Sequence, residues 1–352
     1  MKKILKFFKY FFITVFAVIL IFVVYILISN KIFLGGTDSK FTDYLKNNHV
    51  SVHDKIDAQL FDDNLYNSQV ILLGEVHGYA DNQKLDQELL TFLNQKAGVR
   101  YYIAEMDSIN SHKLNLFLHG SKKDQNLLKE VVLAIQKRIP QQSSKELLEK
   151  WNHIYDYNQT LQDSLKISVI GIDTDFNDNS RKISRDSAMI INFKNSVKKL
   201  NIGHEKFYGL FGFYHVLQHG VKKNEKPFAE RLKNSGFKIS GIVSYTLDSE
   251  MYLPKNPQFP APDDQKIGWI NADGPLMLVK GINDFKEFTQ PNSITLFKLN
   301  ANNSPYQHSN KLISIKSIMF GESFTPQENT NTLDYFQYMV LLRNSKALTP
   351  LQ

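Results

Sequence analysis

The 352-residue chain contains no cysteine. That absence excludes disulfides, thiolate metal sites and a cysteine nucleophile. Glycine loops of the phosphate-binding and dinucleotide-binding kinds are missing, as is the Gly-x-Ser-x-Gly elbow of common α/β serine hydrolases. The stretch His204-Glu205-Lys206-Phe207-Tyr208 begins like a zinc-protease helix but carries Tyr where the second histidine must stand. Asp173, Asp175 and Asn177 begin like a calcium loop, yet Asp178 replaces the required glycine and Ser184 the closing glutamate. There is no internal repeat and no low-complexity tract.

The first 31 residues lack any acid, and this accounts for the basic balance. Lys2, Lys3, Lys6, Lys9 and Lys31 supply five of the formal +7 charges, so the remainder is nearly neutral. No Arg/Lys stripe with interleaved aromatics accompanies them, and no nucleic-acid partner is expected. Between the lysines lie residues 11–28, in which only Thr14 and Tyr25 carry polar side-chain atoms. As a helix this run covers about 27 Å, close to the hydrocarbon thickness of a bilayer. A cleaved signal would have a shorter apolar core and a small-x-small site, whereas SNKIFLGG follows here. The expectation is a retained anchor at 11–29 with residues 1–10 cytoplasmic, since the positive charges precede it. A spacer at 30–60 and an extracytoplasmic domain at 61–352 complete the expected organisation.

Within that domain, 42% apolar content overall and short apolar runs alternating with helical periodicity predict an α/β fold. A central, largely parallel sheet flanked by helices is expected. Strand-like runs occupy 70–73, 101–104, 167–172, 207–213 and 238–247, with weaker candidates at 276–281 and 338–342. Leu85, Leu89, Phe92 and Leu93 repeat at helical spacing, with Gly98 as the C-cap. A helix over 181–200 is predicted, capped from among Asn177, Asp178, Asn179 and Ser180. A mostly helical insertion at about 108–165, broken by Pro140, is long enough to cover a cleft like a lid.

The chemistry lies where the runs stop. The first ends in Gly74-Glu75-Val76-His77, the second in Glu105-Met106-Asp107, the third in Gly171-Ile172-Asp173-Thr174-Asp175, and the fourth in Gly212-Phe213-Tyr214-His215. Parallel strands would bring all four ends to one edge, where open α/β sheets bind ligands. Singly, Asp107 and Asp175 read as helix caps or turn formers, and Arg181 as part of a solvated helix face. Jointly, two Gly-x-x-His units and the carboxylates at the other ends point to a shared site. Arg185, on the helix after the third run, is placed to neutralise an anion or oxyanion.

LLGEVHG, the strand ending in Glu105, GID at 171–173, RDSAMIIN at 185–192 and GFYHV at 212–216 together resemble the erythromycin-esterase-like family. That family sits in a superfamily with Tiki-type and TraB-type peptidases and ChaN-type heme-binding lipoproteins. The similarity spans about residues 65–345. It implies an α/β fold, His77 as the histidine that activates water for ester hydrolysis, Glu75 and Glu105 as acidic partners, and His215 as the second histidine. The fourth strand departs from the esterases, which often carry an aromatic-His-Asn-x-His sequence there. The expected function is therefore a membrane-anchored hydrolase of a small-molecule ester or a peptide, with His77, Glu75, Glu105, His215, Arg185 and Asp173 catalytic and no required cofactor. Two alternatives share the scaffold. A metal-dependent peptidase would give His77, Glu105 and His215 to Zn, Mn or Fe. A heme-binding protein would use Tyr214, His215 or His219 as axial ligand and Phe211 and Phe213 as a hydrophobic wall. A third possibility is an anchored scaffold with a vestigial site.

Overall fold

The computed structural model describes residues 2–52, 56, 60–177, 183–221, 225–256, 261–318 and 323–351. Apolar runs bounded by turns become strands β1 (His49–Val52), β2 (Val70–Glu75), β3 (Tyr101–Ala104), β4 (Ser168–Gly171), β5 (Phe207–Gly212), β6 (Ile239–Leu247), β7 (Ile294–Lys298) and β8 (Tyr338–Arg343). They form one sheet in the order β1-β7-β8-β6-β2-β5-β3-β4. Six neighbouring strands, β8 through β4, run parallel, and β7 is antiparallel to both β1 and β8.

The runs are continuously apolar because both sheet faces are covered. Val70 and Leu72 of β2 face one core, while Ile71 and Leu73 face the other. The helices are α1 (Lys2–Leu34), α2 (Ser39–Lys46), α3 (Asp63–Tyr66), α4 (Ala80–Ala97), α5 (Ser108–His119), α6 (Gln125–Ile135), α7 (Lys145–Gln159), α8 (Arg185–Leu200), α9 (Phe228–Asn234) and the short α10 (Asn283–Lys286). Leu85, Leu89 and Leu93 of α4 and Trp151 and Ile154 of α7 join the second core. Met189 and Phe193 of α8 and Phe228 and Leu232 of α9 join the first. Each such large side chain contributes about 1.5–3 kcal/mol through burial. Gly98 ends α4 with φ 71°, the left-handed conformation that a glycine C-cap supplies.

Several expectations are corrected. Residues 39–52 do not form a spacer: α2 buries Phe41 and Leu45 in the first core, and β1 pairs with β7 at the sheet edge. Helix α8 starts at Arg185 behind an Ser184 cap that accepts from the Ser187 N–H, not at 181. The proposed cap residues Asp178, Asn179 and Ser180, and Arg181 with them, lie outside the described residues. The run at 276–281 stays out of the main sheet, and Met277–Val279 instead pairs with Ile315–Ser317 as a ribbon. Strand β7 was not anticipated, since Thr295 and Lys298 interrupt its apolar residues. Helix α1 is long and apolar enough to cross a membrane or to serve as a signal sequence.

Candidate active site

The parallel register gathers the polar strand ends as expected. Glu75 at the end of β2 pairs in register with Gly212 at the end of β5, and Ala104 of β3 with Gly171 of β4. Both Gly-x-x-His glycines are required by close approach. A side chain on Gly74 would place its Cβ 2.3 Å from Val216 Cγ2, blocking the turn that carries His215. A Cβ on Gly212 would lie 3.1 Å from His77 Nε2 and 3.6 Å from His215 Cδ2. The missing side chain of each unit therefore makes room for the other unit.

His77 Nδ1 stands 2.8 Å from Glu75 Oε1. The Gln142 amide nitrogen donates to the same oxygen at 2.6 Å and lies 3.3 Å from Nδ1. A carboxylate only accepts, so the proton belongs on Nδ1 and the lone pair on Nε2, while the Gln142 amide gives its hydrogen to the shorter contact with Glu75. Nε2 faces the Gly212 backbone and His215. The Glu75 side chain is fully buried while His77 keeps 23% of its side chain exposed, so a substrate can reach the imidazole but not its partner. Burial by itself would lower the His77 pKa. The hydrogen bond and charge of Glu75, assisted by Glu105, outweigh it and raise the imidazole above its ordinary value.

The second histidine is held in the same way by a residue that was not anticipated. His215 Nδ1 lies 2.7 Å from Asp186 Oδ1, and that oxygen also accepts from the Phe228 N–H at 2.6 Å. His215 Nε2 then points at Arg185 Nη1 and Glu105 Oε1, both at 3.4 Å. Glu105 is bound from two sides. Its Oε2 accepts from the Gly212 N–H at 2.7 Å, and its Oε1 faces Arg185 Nη2 at 3.0 Å. Desolvation would raise its pKa, but Arg185, His215 and His77 together hold the carboxyl below its ordinary value.

Asp173 anchors Arg185 with Oδ2 at 2.9 Å from Nε and 2.5 Å from Nη2. Its side chain is fully buried. Its other oxygen accepts from the Thr174 N–H. Arg138, from the turn after α6, approaches Asp173 Oδ2 at 3.8 Å and donates to Thr174 Oγ1 and the Asp175 carbonyl. Asp107 caps α5 and Asp175 closes a local turn on Asn177, which agrees with the plain reading of both.

Behind Glu105 and Gln142 a cavity of about 30 Å³ is lined by Gln83, Tyr102, Lys150 and Trp151 among others. Lys150 is 2% exposed and donates to Asp86 and to the Tyr102 hydroxyl. Burial pulls its pKa below the ordinary lysine value even with Asp86 alongside.

The residues of the metal alternative do not fit a metal. His77, Glu105 and His215 converge, but the Arg185 guanidinium occupies the contacts to Glu105 and His215 that a cation would take. Among the described residues no three His, Asp or Glu side chains are arranged to hold an ion. The heme set also disperses. His215 is engaged at both nitrogens, the Tyr214 hydroxyl donates to Glu225, and His219 packs against Tyr335 with ring centroids 5.5 Å apart. Phe211 is wholly buried in the core beside Phe228, whereas Phe213 lines a groove.

Asp186, Gln142 and Arg138 complete a site that the strand ends only begin. Asp186 had a sequence signal: the Ser184-x-x-Ser187 cap places 185 and 186 together in the first turn of α8. Gln142 and Arg138 had none.

No family model matches the chain, and no curated protein matches its sequence. Among solved structures, a Bacillus cereus protein is 11% identical, with a TM-score of 0.58 over 89% of this chain and 99% of that one. A succinoglycan biosynthesis protein is 13% identical, with a TM-score of 0.58 over 89% of this chain and 98% of that one. A mutant erythromycin esterase in its open conformation is 12% identical, with a TM-score of 0.48 over 83% and 95%. At such identities the first two likenesses establish what this chain shares with known proteins: the α/β fold over nearly its whole length.

Proposed function

We propose that this chain is a hydrolase of the erythromycin-esterase-like type that activates water with His77 and needs no metal. One observation carries the reading: a partly exposed imidazole fixed by a buried carboxylate lies near a partly exposed guanidinium. In the reaction, His77 Nε2 removes a proton from water as the oxygen attacks an ester or amide carbonyl. Negative charge on the carbonyl oxygen is met by Arg185, with His215 beside it. Collapse of the tetrahedral species expels the alkoxide or amine, and the proton on His77 passes to that leaving group. Glu75 and Gln142 hold the tautomer of His77, Asp186 that of His215, and Asp173 the direction of Arg185.

In this proposal α1 is a retained anchor, with the short N-terminus cytoplasmic and the α/β domain outside. The motif pattern quoted from the sequence supports the family, and the basic residues ahead of the apolar run support the topology. The decisive experiment compares wild type and His77→Ala on panels of esters and peptides, with and without chelator. Turnover that is lost in His77→Ala and survives chelation is expected. Equal turnover in both proteins, or loss on chelation that added metal restores, would reject the mechanism.

A further inference from the structure

Beside the site lies a groove with a volume of about 690 Å³ and a largely apolar lining. It begins where the catalytic residues end: Val76 stands between Glu75 and His77, Phe213 follows Gly212, and Gln141 precedes Gln142. Phe213 stacks on Phe324 at 5.8 Å and packs on Tyr245, and all three rings line the groove. Met277 and Ile315 form the far wall.

That wall is the ribbon of Met277–Val279 and Ile315–Ser317, and its reverse side holds α1. Ile315 and Ser317 line the groove, and Lys316 between them donates to Asn30 Oδ1 at 2.9 Å. The Gly281 N–H donates to the Leu34 carbonyl at 3.1 Å, and Asn283 to the Gly35 carbonyl at 2.8 Å. Ser29 and Asn30 follow the apolar run at 11–28 and so mark the level at which that run leaves hydrocarbon. The groove is thereby tied to that level. Where the ribbon continues, Leu276 joins Trp269 and Ile318 by backbone hydrogen bonds, and these two side chains are 46% and 44% exposed. An exposed Trp and Ile beside a membrane-spanning helix suit the headgroup zone, where Trp is enriched.

We infer that the groove takes the hydrocarbon chain of a membrane-resident acyl ester, drawn from the bilayer beside α1 and presented with its carbonyl at His77. This rests on the hydrolase reading above and names its substrate class. The polar strand ends meet the ester, and the aromatic and aliphatic walls replace the lipid around the chain.

The test uses the full chain in phosphatidylcholine vesicles, with 4-nitrophenyl acetate and 4-nitrophenyl dodecanoate as probes and His77→Ala as background. The dodecanoate is expected to show a KM at least tenfold lower than the acetate. Met277→Glu should erase that preference while acetate turnover persists. Trp269→Ser, at an exposed position, should slow hydrolysis of the vesicle-embedded ester at least threefold and leave acetate untouched, and it decides the matter if Met277→Glu does not fold. His77-dependent acetate turnover without chain-length preference would overturn the inference and leave the hydrolase standing. Dodecanoate hydrolysed equally well without vesicles would overturn the bilayer source. No turnover of either ester would reject the hydrolase and this inference with it.

Discussion

Replacing Glu75 by Gln tests the central contact without changing its size. In the wild type, burial lowers the His77 pKa and Glu75 raises it by more, so the group sits above its ordinary value. Glu75→Gln removes the raising partner and keeps the burial. A charge-assisted hydrogen bond of this kind is worth about 1.5–3 kcal/mol. The His77 pKa should therefore fall. The base works only when neutral, so kcat/KM should climb as pH rises through the His77 pKa, and the mutant's climb should come at lower pH. Its plateau should also drop, because the amide no longer fixes the tautomer. The corresponding change in a Ser-His-Asp triad costs about 10⁴-fold, and a loss between about 10² and 10⁴ is expected here. Stability gives an independent sign. A histidine whose folded pKa is raised stabilises the fold below the unfolded value near 6.5, and that contribution fades as pH rises through the folded pKa. The melting difference between wild type and Glu75→Gln should therefore be largest in acid and shrink in base. A kcat/KM profile whose limb stays put or moves upward would refute the reasoning.

Asp186→Asn should release the ring of His215 and lower kcat at least tenfold with KM little changed, because that histidine acts on charge developed in the transition state. Gly212→Ala should push the His77 ring off Glu75 by a few tenths of an ångström. Activity should fall sharply for an unfolding cost under about 3 kcal/mol, measured by denaturant titration. Lys150→Met should destabilise the fold by about 3–5 kcal/mol by leaving Asp86 buried and unpaired, and adding Asp86→Leu should restore most of that loss. A double variant no more stable than the single one would show that the pair is not the cause.

The sheet centre was legible because a strand buried on both faces must be apolar without interruption, and 70–73, 101–104 and 207–213 are. The polar residues that follow stood out for the same reason: nothing about packing calls for Glu75, His77 or Glu105. Sheet edges obey no such rule, so His49–Val52, with two polar residues in four, passed for spacer. The supporting residues were hidden differently. His215 meets Asp186 across 29 positions and Glu75 meets Gln142 across 67, contacts set by how α8 and the insertion dock and not by any local pattern. Asp173 shares the strand-end position of the others, and its contact with Arg185 across 12 positions was equally hidden.

The helical insertion changes role most between sequence and structure. Its length suggested a lid, yet its contacts are those of a fixed wall. Helix α7 packs along α4, and the buried Lys150–Asp86 pair with the Tyr102 hydroxyl pins the two helices to β3. Opening that contact would strand a charge on each side in a low-dielectric interior, which costs several kcal/mol. From this fixed wall the insertion reaches the site at two points, Gln142 on Glu75 and Arg138 near Asp173. Each of these acids orients one working cation or base, His77 in the first case and Arg185 in the second. The insertion therefore sets the two groups, and the same turn that carries Gln142 lends Gln136, Pro140 and Gln141 to the lining of the apolar groove beside them.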